Sequence, residues 1–173
     1  MNKHLSFVIF SVLFALVFGS CSTEEPLPIS SSDPHFTLVD YTHSGIDFEN
    51  TLIETQQDNH LLNEKFVNGA GVAIGDINND GLPDVFFSGN QVPDRIFLNK
   101  GNLKFEDITQ SSGLAEENGW STGVTFADVN ADGYQDIYIC KSVRGNLEKS
   151  PNLLYLNNGN LTFTEVGKKY NVA

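Results

Sequence analysis

A nine-residue frame, D-x-N-x-D-G-x-x-D, is written twice in this chain. Asp76-Ile77-Asn78-Asn79-Asp80-Gly81-Leu82-Pro83-Asp84 returns 52 positions later, from 76 to 128, as Asp128-Val129-Asn130-Ala131-Asp132-Gly133-Tyr134-Gln135-Asp136. A hard cation such as Ca²⁺ takes about six to eight oxygen ligands, and this spacing supplies side-chain oxygens at positions 1, 3, 5 and 9 with a backbone carbonyl at position 7. Glycine at position 6 lets the chain turn sharply enough to wrap one ion. The expected cofactor is therefore Ca²⁺, at two sites.

The repeat extends beyond the loops. Gly71-Val72-Ala73-Ile74-Gly75 precedes the first loop and Gly123-Val124-Thr125-Phe126-Ala127 the second. Val85-Phe86-Phe87-Ser88 and Ile137-Tyr138-Ile139-Cys140 follow them. Next come Arg95-Ile96-Phe97-Leu98-Asn99 and Leu153-Leu154-Tyr155-Leu156-Asn157, then Gly101-Asn102-Leu103-Lys104-Phe105 and Gly159-Asn160-Leu161-Thr162-Phe163. The offset has grown to 58 by then (99 to 157), which places six extra residues in the loop Val143 to Pro151, since insertions between matched strands belong in loops. Short β-branched and aromatic runs bounded by Gly, Asn, Asp and Pro read as strands joined by turns. Four strands per unit at a period near fifty predict an all-β chain of two β-propeller blades, not a helical solenoid.

The segment Phe36-Thr37-Leu38-Val39, followed by Ser44-Gly45-Ile46, matches the last strand of each unit, Phe105-Glu106-Asp107-Ile108 with Ser112-Gly113-Leu114 and Phe163-Thr164-Glu165-Val166. It is expected to be an orphan N-terminal strand, of the kind that would complete the last blade of a closed ring. Propellers run to about 4–8 blades, so the remaining blades are expected to be missing from this chain. Residues facing neighbouring blades, among them Phe86, Tyr138 and Leu154, would then be partly exposed.

Residues 1–20 read as a targeting segment. Lys3 and His4 precede an apolar run from Leu5 to Phe18, which is too short to span a bilayer, where about 20 residues are needed. Small residues Gly19 and Ser20 stand before Cys21, an arrangement similar to a bacterial lipoprotein signal in which the cysteine becomes the lipidated N-terminus. Acidic residues directly after it, Glu24 and Glu25, resemble surface-export signals of such lipoproteins. The expected location is thus outside the cell, lipid-anchored to the outer membrane. The organisation reads as signal 1–20, polar tether 21–35, N-terminal strand and irregular lead-in 36–68, first repeat 69–115 and second repeat 116–173. The net charge of −12 argues against binding to nucleic-acid phosphates, which calls for basic patches.

Position 12 separates the possible loop architectures. An EF-hand needs a bidentate Glu there, and this chain has Phe87 and Ile139. The phrases Gly71 to Asp84 and Trp120-Ser121-Thr122-Gly123-Val124 instead resemble the FG-GAP, or VCBS, repeat family, including bacterial members related to cartilage acidic protein that end in an ASPIC/UnbV domain. The resemblance covers Phe36 to Ala173. It implies an integrin-α-like propeller whose loop joins the first and second strands of each blade. It also implies two ion sites, Asp76, Asn78, Asp80, Leu82 (by its carbonyl) and Asp84, and Asp128, Asn130, Asp132, Tyr134 (by its carbonyl) and Asp136.

Catalytic patterns are thin. His35, His43 and His60 match no local ligand spacing, no Gly-x-Ser-x-Gly or His-Glu-x-x-His run occurs, and Glu54, Glu64, Glu116 and Glu117 lie in irregular segments. Cys140 reads as a small hydrophobe in a strand, and Trp120 as core beside a strand. The expectation is a non-enzymatic calcium-binding adhesion scaffold for a protein or glycan ligand. The alternative is part of a polysaccharide-degrading propeller enzyme whose catalytic residues lie outside this chain.

Overall fold

The computed structural model describes residues 36–114, 120–142 and 151–172. The chain divides into two units, Met1–Leu38 and Val39–Ala173, and the elements below belong to the second. The targeting segment, Cys21, the tether, Glu116, Glu117 and nearly all of the insertion expected between Val143 and Pro151 lie outside the described residues. No helix among the described residues is long and apolar enough to cross a membrane.

Among the described residues a one-turn helix, α1 (Tyr41–Ser44), precedes eight strands: β1 (Val72–Gly75), β2 (Asp84–Phe87), β3 (Arg95–Asn99), β4 (Phe105–Asp107), β5 (Ser121–Ala127), β6 (Asp136–Lys141), β7 (Leu153–Asn157) and β8 (Phe163–Glu165). They form two four-stranded antiparallel sheets in plain sequence order, β1-β2-β3-β4 and β5-β6-β7-β8. The registers match between copies: Val85 faces Phe97 and Phe97 faces Asp107 in the first sheet, Ile137 faces Tyr155 and Tyr155 faces Glu165 in the second. The sequence pattern thus predicted every strand to within a residue or two at most of its ends.

The two sheets share one apolar core. Ile77, Phe86, Ile96, Leu98 and Leu114 from the first copy are continuous with Ile137, Ile139, Leu153, Tyr155 and Phe163 from the second. Phe86 meets Phe126 edge-on at 6.5 Å between centroids, a geometry favoured by the ring quadrupoles. Trp120 is buried beside Phe66, as a core role requires. The first strands of the sheets approach so closely that a Cβ on Gly71 would lie 2.9 Å from the Gly123 Cα and from the Val124 nitrogen. Further ties cross the same seam: the Ser121 N–H donates to the Gly89 carbonyl at 3.0 Å, and the Phe163 N–H to the Ser112 carbonyl at 2.8 Å. The Ser121 hydroxyl donates to Asp94, whose carboxylate stands 4.0 Å from the buried Lys141 ammonium.

Two expectations fail. Phe36 to Val39 form no strand; a strand exists only through ladder bonds to a neighbour, and neither sheet has a member from this segment. Phe86 is buried because it joins the core shared by the two sheets, and Leu154 is buried outside that core, while Tyr138 is half-buried, as expected. Within the repeats, Val72, Ile74 and Val129 are among the exposed apolar residues.

The Ser44-Gly45 match is nonetheless structural. After β4, the Ser112 N–H closes a turn onto the Ile108 carbonyl and Gly113 follows at φ 75°. The Ser44 N–H closes onto the Asp40 carbonyl with Gly45 at φ 75°, and the Tyr170 N–H closes onto Val166 with Asn171 at φ 56°. A Cβ on Gly45 would meet the Phe105 carbonyl, and one on Gly113 would lie 3.6 Å from the equivalent Phe163 carbonyl. Residues 40–46 therefore sit against the first sheet as residues 108–114 sit against the second.

Candidate metal centre

Each Asp-rich loop joins the first and second strands of its sheet. The backbone turns through left-handed residues at positions 4 and 6, Asn79 (φ 61°) and Gly81 (φ 85°), then Ala131 (φ 61°) and Gly133 (φ 89°). Nothing lies within 4 Å of a Cβ on Gly81 or Gly133, so glycine is there for its φ alone.

The first three acceptors of each loop face one another at the mouth. In loop 1 the Asp80 N–H donates to Asp76 Oδ1 at 3.1 Å and to Asn78 Oδ1 at 3.2 Å, and the Gly81 N–H donates to Asp76 Oδ2 at 2.8 Å. Asn78 Nδ2 donates to Asp80 Oδ2 at 2.9 Å, and Asp80 Oδ1 accepts from the Leu82 N–H at 2.8 Å. Loop 2 repeats every one of these bonds with Asp128, Asn130, Asp132, Gly133 and Tyr134. The Gly133 N–H and the other loop amides hold the Asp128 carboxyl below the usual carboxylate range.

Position 9 behaves differently. Asp84 is fully buried, with one oxygen accepting from the Ile77 N–H at 2.9 Å and the other from the Asn99 N–H at 2.7 Å. Asp136 does the same with Val129 at 2.9 Å and Asn157 at 2.8 Å. Burial pushes the Asp84 carboxyl up, against its two amide bonds, and the charges of Asp80 and Asp76 push the same way. Asp80 and Asp76 are thus close enough to disfavour a charge on Asp84.

Among the described residues no three His, Cys, Asp or Glu side chains already stand at cage spacing. The donor chemistry still fits a hard cation: three carboxylates, an amide oxygen and a backbone carbonyl per loop, with carboxylate lone pairs to spare, since each oxygen has about two. The two described histidines do not converge on these loops. His43 Nε2 bonds the Asn102 carbonyl and His60 Nδ1 bonds Glu54. Cys140 is a half-buried free thiol.

The sequence reading matched Asn99 with Asn157 but assigned them no role. Both end a third strand, in Leu98-Asn99-Lys100-Gly101 and Leu156-Asn157-Asn158-Gly159. Their N–H groups hold the position-9 carboxylates, and their side-chain oxygens cap the following turn at Gly101 and Gly159. The recurrence of Leu-Asn-x-Gly at one offset was the available signal.

Residues 76–139, from the first loop position into β6, match the profile of the FG-GAP-like repeat. These residues form an FG-GAP-like repeat. FG-GAP repeats are β-propeller blades, and the two sheets are built as two such blades. The chain is 35% identical over 105 residues to cartilage acidic protein 1 of Xenopus tropicalis, covering 59% of this chain and 15% of that protein. The mouse and human proteins of the same name are 36% and 35% identical over 92 residues, 53% of this chain and 13% of theirs. The chain thus spans about a seventh of the length of the curated relatives it matches.

Proposed function

We propose that this FG-GAP chain is a non-catalytic scaffold whose two Asp-rich loops each hold one structural Ca²⁺. The observation that carries the reading is the bond-for-bond repetition of both loops, down to the left-handed residues at positions 4 and 6. The role of the ion follows from the electrostatics: Asp76 and Asp80 repel a charge on the buried Asp84 carboxyl, and a bound dication would neutralise that cluster and tie the first strand of the blade to the second. Asp76, Asn78, Asp80, Asp84 and the Leu82 carbonyl would hold one ion, and Asp128, Asn130, Asp132, Asp136 and the Tyr134 carbonyl the other.

The scaffold displays its outer surface to a protein or glycan ligand, anchored at the cell surface through lipid on Cys21. The unequal exposure of equivalent positions supports further blades on both sides. Ile77 is 1% exposed where the second blade covers it, and its counterpart Val129 is 44% exposed. Val124 and Phe126 pack on the core, and their counterparts Val72 and Ile74 are exposed.

Calorimetric titration of the chain tests the ion reading. Two Ca²⁺ per chain are expected, with weaker Mg²⁺ binding because Mg²⁺ demands a tighter octahedron and keeps its water. A stoichiometry near zero would refute it.

A further inference from the structure

The two loops are joined to each other. Asn157 Nδ2 donates to the Gln135 carbonyl of its own loop at 3.1 Å and, across the seam, to the Ile77 carbonyl of the other loop at 2.8 Å. Ile77 donates its N–H to Asp84, and the Asn157 N–H donates to Asp136. The position-9 carboxylates of both loops are therefore the ends of one line of hydrogen bonds: Asp84, the Ile77 peptide groups, Asn157, Asp136. Asp84, Ile77, Asn157 and Asp136 are all buried. A second link lies at the surface, where Asn79 Nδ2 donates to the Gly133 carbonyl at 3.1 Å.

Asn99 shows what is special to Asn157. It makes the equivalent local bonds, donating its N–H to Asp84 and its side-chain amide to the Pro83 carbonyl. Its bonds all stay within its own blade, whereas Asn157 reaches into the neighbouring loop.

We propose that the two cation loops bind as a positively coupled pair, with Asn157 as the positioning residue that transmits occupancy between them. The inference rests on the cation reading above. An ion in loop 2 immobilises Asp136, and with it the Asn157 N–H and the amide that holds the Ile77 carbonyl. Loop 1 then binds with part of its ordering already done, and ordering met by one ligand lowers the cost to the next. Repulsion between two bound cations opposes this, but the loop mouths are exposed and solvent screens such charges within about 8 Å at 0.15 M salt. The hydrogen-bonded line is buried and escapes that screening.

The test is Ca²⁺ calorimetry on the full chain at 0.15 M salt, with Asp132→Ala disabling loop 2. Loop 1 should then bind about 5-fold or more weaker than in the parent, the lower end of usual coupling. In Asn157→Ala the further change Asp132→Ala should leave loop 1 unaltered, whereas Asn99→Ala should keep the coupling, having lost local bonds of the same kind. Asn79→Ala removes only the exposed bond to the Gly133 carbonyl and should lower the coupling factor in part, which keeps the coupling testable where Asn157→Ala fails to fold. Two ions bound by the parent with an unchanged loop 1 in Asp132→Ala would overturn the coupling alone. Equal coupling in Asn157→Ala and the parent would overturn the role of Asn157, and no ion bound by the parent would overturn both this proposal and the reading beneath it.

Discussion

Gly71 and Gly123 occupy equivalent places in the two blades, and replacing each by alanine should have opposite results. Neither has a positive φ, so space and not backbone strain decides the outcome. A Cβ on Gly71 would stand 2.9 Å from the Gly123 Cα, 2.9 Å from the Val124 nitrogen and 3.1 Å from the Gly123 carbonyl carbon. Non-bonded carbons prefer about 3.5–4.0 Å, so β1 and β5 must part by about 0.5–1 Å. All three atoms are backbone, and no side-chain rotation relieves the clash. Overpacking of this kind costs about 1–3 kcal/mol, offset by about 0.4–1 kcal/mol from the reduced freedom of the unfolded chain. A net loss of about 1–2 kcal/mol lowers the melting temperature by about 3–10 °C at this size. On Gly123 the new methyl carbon would lie 3.7 Å from the Cys140 Cβ, an ordinary contact. Gly123→Ala should therefore melt with the parent or slightly above it. Thermal unfolding followed by circular dichroism, at one fixed calcium or chelator concentration, measures both. If Gly71→Ala and Gly123→Ala melt within about 1 °C of each other, the close approach of the two first strands does not hold the blades together as argued.

Asp80→Ala and Asp132→Ala each remove one central oxygen ligand, so each should lower the melting temperature in calcium and leave chelated protein little changed; stabilisation by an ion follows its concentration relative to its dissociation constant. Melting curves matching the parent under both conditions would contradict the ion sites. Burial works against charge at Asp107, but the Thr109 hydroxyl and N–H and the Arg95 guanidinium, 2.7 Å away, outweigh it and keep the carboxyl below its usual range. The stability it contributes is present above the unfolded value of about 3.9 and is lost as pH falls through the lower folded value. Asp107→Asn should flatten that acid limb by no more than about 1 kcal/mol, since the pair is partly solvated, and urea midpoints measured from pH 2 to 7 would show it. Cys21→Ser should release the chain from the membrane fraction, because a polar tether cannot replace an acyl anchor; equal incorporation of labelled fatty acid by parent and variant would refute lipidation.

What the sequence alone determined was local and periodic. Alternating apolar runs and Asp-Gly or Asn-Gly turns specify strands and loops through neighbours a few residues apart, so the eight strands among the described residues and both loops were legible. The ninth loop position was legible as an oxygen donor, but not as a carboxylate buried between two backbone N–H groups, because its second partner, Asn99 or Asn157, comes 15 or 21 residues later. The tertiary structure decided the rest. Phe36 to Val39 carry a strand-like pattern and form none, since a strand depends on a partner and not on its own residues. Phe86 and Leu154 are buried, while Val72 and Ile74 are exposed, because exposure depends on which neighbour covers each face. The bond from Asn157 to Ile77 joins residues 80 positions apart, and only the close approach of two glycine-bearing strands brings them within reach.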